Sequence, residues 1–518
     1  MEQEKYKLII IGSGITGLST GLAWTKIYNA VENPVLIIEK QTVPGGCVST
    51  FAREGYRFDT VQIIPDVSDI LEFYNIDIEL VKFDNFYARL FLADPKNKIA
   101  RIFPIHSELE KFKDNLIGFF PDDRVQINRF FNYCSKMHAE LQYLKTEPRL
   151  YEFPGILFRC PKILANSGKT YKEFLSGFNF RNPEIYEILD TFSTFSGLSG
   201  NRCAALLTAC AMITTLNGSY RTRKGFIEFP VQLKKKFEEN GGQIMLNTIV
   251  EKILTDEGKA KGVRLADGRE LYAENVVSTT DTKLTFGKLL GYDVLEKADS
   301  GYEKKVRELR MSPSAITIHV GLDDKIDLRG MGFDCGYNVL TTGRKTHEKL
   351  FDDWSKGNFI LSDEDFHCGV IAPCLKTGGK PNLIIRVVPV AANNWIKLRK
   401  TDIDAYNKEK QKFADFYISK VEEYMISNLR KHITFIDVAS PATYERYLGT
   451  PTGSNYDMLP VPNNFGRKRL KTRTPVKNLY HPKFSHGIWP SMQAGLQVVD
   501  MISGRKIMNG NASFKKRR

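Results

Sequence analysis

Lys7-Leu8-Ile9-Ile10-Ile11-Gly12-Ser13-Gly14-Ile15-Thr16-Gly17 is the stretch that decides the fold. Lys7 to Ile11 reads as a strand buried on both faces, because its apolar run does not alternate. GxGxxG follows at once. Leu18 to Ile27 then reads as a helix, and Pro34 to Ile38 as a second apolar strand ending in Glu39. This is a βαβ unit with glycines at its first turn. Gly12 allows the tight turn, Gly14 lets backbone approach a pyrophosphate, and Gly17 lets helix pack on strand. The helix N-terminus offers N–H groups and a positive dipole end to phosphates. Ser13, Ile15 and Thr16 share that turn and join the candidate cofactor site. Glu39 stands 22 residues after Gly17, where an acid accepts ribose hydroxyls and disfavours a 2′-phosphate. Lys40, beside it, is included in the site.

The next residues favour flavin over nicotinamide. Gly45-Gly46 lies six residues past Glu39, followed by Ser49-Thr50-Phe51 and Gly55-Tyr56-Arg57-Phe58-Asp59. Here the chain resembles the flavin-dependent amine oxidase and phytoene desaturase superfamily, on its carotenoid desaturase and retinol saturase branch. That resemblance implies FAD, with Gly45, Gly46 and the neighbouring Cys47 at its adenosine-diphosphate side. Further blocks carry the likeness along the chain. Val231 to Glu239 reads as a helix stopped by Gly241-Gly242. Strands Gln243–Leu246, Ile249–Leu254 and Ala260–Leu265 follow, then an Asp267-Gly268 turn and the strands Glu270–Tyr272 and Asn275–Ser278. By the resemblance, Val250 contacts adenine. Tyr444 to Ser454 and the strand Thr474-Pro475-Val476-Lys477-Asn478-Leu479-Tyr480 also match. A helix Met492–Ser503 is introduced by Pro490. The resemblance turns its N-terminus toward the flavin ring, so Pro490, Ser491 and Met492 belong to the site. Two departures fall at the ring end: Val61 replaces a family glycine, and the C-terminal turn keeps only Gly487 while gaining His486 and Trp489. Thr222 to Phe226 also stands where the family shows P-x-G-G.

The resemblance implies an α/β fold with a Rossmann-like FAD-binding domain of glutathione-reductase type, assembled from discontinuous segments. Residues 1–80, 216–295 and 465–518 would form it. A mixed-sheet substrate domain would take 81–105 and 296–464, and a helical cap 106–215. At about one domain per 100–200 residues, 518 residues accommodate this. The chain's 33 Phe and 22 Tyr suit a long apolar tunnel. Clusters at Phe83, Phe86 and Tyr87, at Phe130 and Phe131, and at Phe192 and Phe195 read either as core or as its walls. The implied reaction is hydride transfer between flavin N5 and a CH–CH or C=C bond of a polyene, retinoid or acyl substrate. Flavin-assisted cis–trans isomerisation and amine oxidation are alternatives. A non-catalytic lipid escort of Rab GDP-dissociation-inhibitor type is the alternative of another class.

Composition narrows the rest. An apolar fraction of 42% and a charged fraction of 26% exclude disorder, collagen and coiled coil. Eight Cys without CxxC spacing suggest idle thiols in a reducing cytoplasm rather than a disulfide scaffold or zinc ribbon. No HExxH or GxSxG occurs, so metal and serine-hydrolase chemistry are not expected. The longest later apolar run, Ala204 to Leu216, is shorter than the about 20 residues a bilayer span needs. A net charge of +14 favours an anionic partner. Arg221, Arg223 and Lys224, Lys234 to Lys236, Arg467 to Arg473 and Lys515 to Arg518 read either as solvated faces or as peripheral docking to anionic lipid. No nucleic-acid signature accompanies the charge. His486 is the one side chain considered as a proton donor, with a packed or capping His as the alternative.

Overall fold

The computed structural model describes residues 5–143, 153–333, 336–357, 361–464, 468–482 and 487–505. The opening unit is a strand Lys5–Ile11 (β1), a helix Ile15–Ile27 (α1) and a strand Val35–Ile38 (β2). β1 is buried on both sides, as its unbroken apolar run requires. Leu8 and Ile10 pack on α1 and on the helices Glu228–Glu239 and Ile488–Ser503. Ile9 and Ile11 face the opposite layer with Val263, Val276 and Phe286. Each such side chain contributes about 1.5–3 kcal/mol of burial.

The order in the first sheet is Gln243–Met245, β2, β1, Glu270–Ser278, Lys259–Leu265 and Val250–Asp256, with Leu479–Tyr480 pairing Glu270–Ser278. The first four run parallel, and the last two form an antiparallel meander. The sheet is Rossmann-like and is stitched from three stretches of chain. α1 begins at Ile15, ahead of the expected Leu18, because Gly14 is already its N-cap. Two other helices also start early. Glu228–Glu239 and Ile488–Ser503 both include a proline as third residue, in the first turn, where no intrahelical N–H is needed. The expected strand at Thr474–Tyr480 shrinks to Leu479–Tyr480. Pro475 cannot donate to a ladder, and Asn478 has φ +62°, off the strand conformation.

A second, mixed sheet has the order Ile433–Ala439, Ser314–Leu322, Asn382–Val390, His367–Ile371, Tyr337–Thr341, Phe86–Asp94, Ile99–His106. Its one parallel pair joins Tyr337–Thr341 to Phe86–Asp94. Helices between Leu109 and Leu216 form a layer with its own aromatic core, in which Phe112, Phe130, Phe131, Phe174 and Phe192 are almost wholly buried. Among the described residues no helix is long and apolar enough to cross a membrane.

Candidate functional site

The glycine turn and the Gly45-Gly46 doublet meet backbone to backbone. Gly45 N–H donates to the Ser13 carbonyl at 3.0 Å, and Gly14 and Gly45 form a parallel bridge. Gly45 has φ +131°, and a Cβ there would stand 2.3 Å from the Val48 carbonyl, so only glycine fits. A Cβ on Gly17 would lie 2.0 Å from the Gly12 carbonyl; that glycine sets the contact of helix with turn. Gly14 differs. A Cβ there would meet nothing closer than the Gly45 carbonyl at 4.0 Å, so it borders open space. No side chain caps α1, and its first N–H groups face that space.

Glu39 closes one side of the crevice. It is 7% exposed. Ser13 donates to its Oε2 from N–H at 2.8 Å and from Oγ at 2.9 Å, and Gln41 N–H donates to Oε1 at 2.8 Å. Three of about four acceptor positions are filled, which leaves one on Oε1 turned to the cavity. Lys40 Nζ reaches the Arg446 carbonyl at 3.3 Å. Burial lowers its pKa, and the Glu39 charge partly offsets this.

These groups open into one cavity of about 2950 Å³. Sites for drug-sized ligands span about 300–1000 Å³, so there is room for a dinucleotide and a second long molecule. Gly12, Gly14, Ile15, Thr16, Glu39 and Lys40 line it, as do Gly45, Gly46, Cys47, Val250, Pro490 and Ser491. Ser13 and Gly17 stand behind that lining. Met492 is fully buried against the sheet and contributes no lining surface. His486 lies outside the described residues, as do Arg467 and the Lys515–Arg518 tail. Of the aromatic residues weighed as tunnel walls, Phe195 reaches the cavity, while Phe130, Phe131 and Phe192 pack in the helical core. The apolar walls come instead from residues such as Phe51, Ile63, Ile156, Leu164, Leu207 and Trp489.

Sequence reasoning missed a buried polar framework behind the 50–59 hairpin. Asp59 and Arg221 form a buried ion pair, Arg221 Nη2 to Asp59 Oδ2 at 2.6 Å, and Arg221 Nη1 also donates to the Gln62 carbonyl at 2.5 Å. Asp59 Oδ1 accepts from Thr50 Oγ1 and from Phe226 N–H at 3.1 Å. Asp59 therefore ties the 50–59 hairpin to the turn at Gly225. Arg221 is 0% exposed, so it belongs to no solvated or lipid-facing cluster. Lys234, Lys235 and Lys236 are each paired with Glu238 or Glu239 on their own helix, which neutralises that run. His319, also missed, lines the cavity between Phe51 and Phe58, both at 5.0 Å. Burial pushes its imidazole down to about 4, against the pull of Asp437, so it is neutral at pH 7. An acid closing the short strand Tyr56–Asp59 and an arginine in the short strand Ser219–Thr222 were the available signals for the ion pair.

Comparison with known proteins agrees with this geometry. Residues 10–70 match the NAD(P)-binding Rossmann-like domain, and residues 126–343 match the flavin containing amine oxidoreductase family. The chain is 27% identical over 486 residues to the prolycopene isomerase of Daucus carota, covering 87% of this chain and 71% of that one. It is 25% identical over 473 residues to a lycopene-forming phytoene desaturase of Paracoccus, covering 88% and 87%. It is 23% identical over 515 residues to the all-trans-retinol 13,14-reductase of Danio rerio, covering 92% and 82%. Among solved structures, cyclohexylamine oxidase from Brevibacterium oxydans shares the fold at TM-score 0.61 and 12% identity, covering 96% of this chain and 99% of that one. The fold and the crevice define an FAD-dependent oxidoreductase. Along most of its length the chain is similar to the FAD amine oxidase and carotenoid desaturase superfamily.

Proposed function

We propose that this oxidoreductase acts on the CH–CH or C=C bonds of a long apolar polyene, retinoid or acyl substrate. The observation that carries the reading is the single cavity, which runs from the glycine crevice at Gly14 to the helical layer at Ile156 and Leu164. In this reading the α1 N-terminus, Gly14, Gly45 and Gly46 hold the diphosphate of FAD. Glu39 takes a ribose hydroxyl on its remaining acceptor position, and Val250 borders the adenine. Ser491 and Pro490 stand at the ring end. Bound flavin supplies a two-electron hydride acceptor or donor. The protein's own part is to align one carbon–carbon bond and to exclude water, which the apolar walls do. The cofactor segments 1–80, 216–295 and 465–518 would then serve a substrate unit of 81–105 and 296–464 under a cap of 106–215.

A lipid-soluble substrate needs an entrance. Helix Phe153–Arg159 lines the cavity through Phe153, Ile156 and Leu157, while Leu157 and Phe158 are 63% and 88% exposed. This helix is the proposed point of peripheral contact with a membrane surface.

The test is direct. Purified protein should show flavin absorbance near ~450 nm. Anaerobic addition of all-trans-retinol, phytoene or their reduced partners, with mass spectrometry, should reveal a product two hydrogens heavier or lighter. Absence of flavin after reconstitution with FAD, with co-purifying lipid, would instead favour an escort. Isomerisation is the second reading, favoured by prolycopene isomerases among the relatives. It predicts a product of unchanged mass.

A further inference from the structure

Beside the main cavity lies a separate chamber of about 20 Å³. Thr194, Tyr337, Arg386 and Tyr456 line both spaces and form the partition, and Thr194 hydrogen-bonds with the Tyr337 side chain. Arg386 Nη2 donates to Tyr456 Oη at 3.3 Å. On the far side stand His347 and His367, with rings stacked at 4.2 Å and 11°. Both are buried, 4% and 7% exposed. His347 Nδ1 lies 3.8 Å from Asp190 Oδ2. His367 Nδ1 has no hydrogen-bond partner among the described residues. A chamber of about this size holds one water, and a buried water needs two to four polar partners. The two imidazoles, the Tyr337 hydroxyl and the Arg386 guanidinium can supply them.

This cluster is assembled from five elements. Asp190 ends helix Glu184–Asp190, His347 sits on Arg344–Ser355, His367 opens His367–Ile371, Tyr337 opens Tyr337–Thr341, and Arg386 is central in Asn382–Val390. Burying so many polar groups beside an aromatic core costs stability rather than adding it. We propose that Asp190, His347 and one water in this chamber form a proton conduit that reaches the substrate cavity through Tyr337. Its use rests on the oxidoreductase reading; its existence does not. Making a C=C bond removes a hydride and a proton from neighbouring carbons. The hydride, with both electrons, goes to the flavin. The proton passes from the cavity wall through water and imidazole to the Asp190 carboxylate, which becomes a carboxylic acid. Saturation runs the same transfer backward, and no further reactant is required.

The charges around Asp190 suit that task. Burial raises its carboxyl to about 7, Arg344 and Lys172 lower it, and Glu348 raises it. Ser193 lies beside it, as do the neutral Cys203 and Tyr171, and burial also raises Glu187 nearby. Burial lowers His347 and His367. At neutral pH a shared proton therefore rests on the carboxyl and can leave it.

Infrared spectroscopy on protein with 13C-labelled Asp tests the conduit without any substrate. The parent should show a protonated-carboxyl band that disappears as pH rises through about 7 and is absent in Asp190→Asn. Gly369→Ala places a methyl 2.9 Å from the Tyr337 hydroxyl, so that it intrudes on the chamber and displaces the Tyr337 ring while leaving Asp190 and both histidines unsubstituted. It should slow hydrogen–deuterium exchange of that band at least tenfold. A band that Asp190→Asn leaves in place, or exchange equally fast in Gly369→Ala, overturns the proposal. If Asp190→Asn does not fold, the exchange rate in Gly369→Ala decides alone. A flavin-free protein that passes would retain the conduit and lose only the oxidoreductase reading.

Discussion

Two parts of the cavity wall are built on different terms. At the glycine end the crevice is made of backbone: the Ser13 carbonyl to Gly45, the Gly14–Gly45 bridge and the uncapped start of α1. Elsewhere its wall rests on side chains drawn from separate segments, such as Asp59 with Arg221 and Tyr337 with Arg386 and Tyr456. A backbone site requires glycine at fixed spacing and tolerates little else. A side-chain site can be rebuilt residue by residue, which is where Val61 and the Gly487 turn depart from the superfamily pattern.

The largest expected effect separates room from packing at the glycine end. Gly14→Val should abolish FAD binding, a loss of at least about a thousandfold, or about 4 kcal/mol. Its Cβ would enter the open space where backbone now borders the crevice, with the Gly45 carbonyl at 4.0 Å as its nearest neighbour. The fold should survive. Gly17→Ala should do the reverse and lower thermal stability first, because its methyl meets the Gly12 carbonyl at 2.0 Å. Flavin stoichiometry and melting temperature measured on both variants check this. Full flavin content in a folded Gly14→Val protein breaks the comparison.

In the side-chain framework, Arg221→Met should destabilise the protein by up to about 5 kcal/mol, since it leaves Asp59 buried without its cation. Denaturant titration measures it. Adding Asp59→Asn should recover part of the loss, because the two residues form one unit. A loss below about 1 kcal/mol would mean that water replaces the arginine and that this pair is wetter than its burial indicates.

The difference also explains what was legible in the sequence. The unbroken run in β1, the glycines and Glu39 are local, and their spacing reports their job. Asp59 and Arg221 are 162 residues apart and become partners only when the Ser219–Thr222 strand passes the 50–59 hairpin. Read alone, Arg221 was one cation in a basic run. Three helix starts were placed late, at Leu18, Val231 and Met492, because Gly14 is itself an N-cap and Pro230 and Pro490 sit inside first turns. The aromatic clusters gave hydrophobicity without direction, so core and cavity wall could not be told apart.

Asp190 adds a pH-dependent contrast. Its carboxyl is lifted from 3.8 to about 7 in the native state. Between those values the unfolded chain releases its proton first, so rising pH lowers native stability, by about 4 kcal/mol in all at 1.36 kcal/mol per pH unit. Above about 7 the loss is constant. His347, lowered from 6.5 to about 4, acts oppositely: native stability falls as pH drops from 6.5 toward 4. Asp190→Asn removes only the first contribution. The stability of the variant relative to the parent should therefore rise by about 4 kcal/mol between pH 4 and pH 8, measured by urea unfolding at each pH. A pH-independent difference would show that Asp190 is ionised throughout.

The smallest effect sharpens the backbone half of the comparison. Glu39 is the one side chain on which the glycine end depends, and it works as an acceptor for Ser13 N–H, Ser13 Oγ and Gln41 N–H. Glu39→Gln keeps the shape but has one oxygen where three donors converge on two. Its amide nitrogen must face either the Ser13 pair or Gln41, so at least one of these bonds is lost, at about 1–2 kcal/mol. FAD affinity should fall about tenfold, because the orientation that keeps the two Ser13 bonds puts an N–H where the ribose now finds an acceptor. Isothermal titration of the apoprotein reads this against Gly14→Val. A loss as large as that of Gly14→Val would place the decisive recognition on the carboxylate and not on the backbone around it. An unchanged affinity would mean that the glycines and helix N-terminus hold the nucleotide alone.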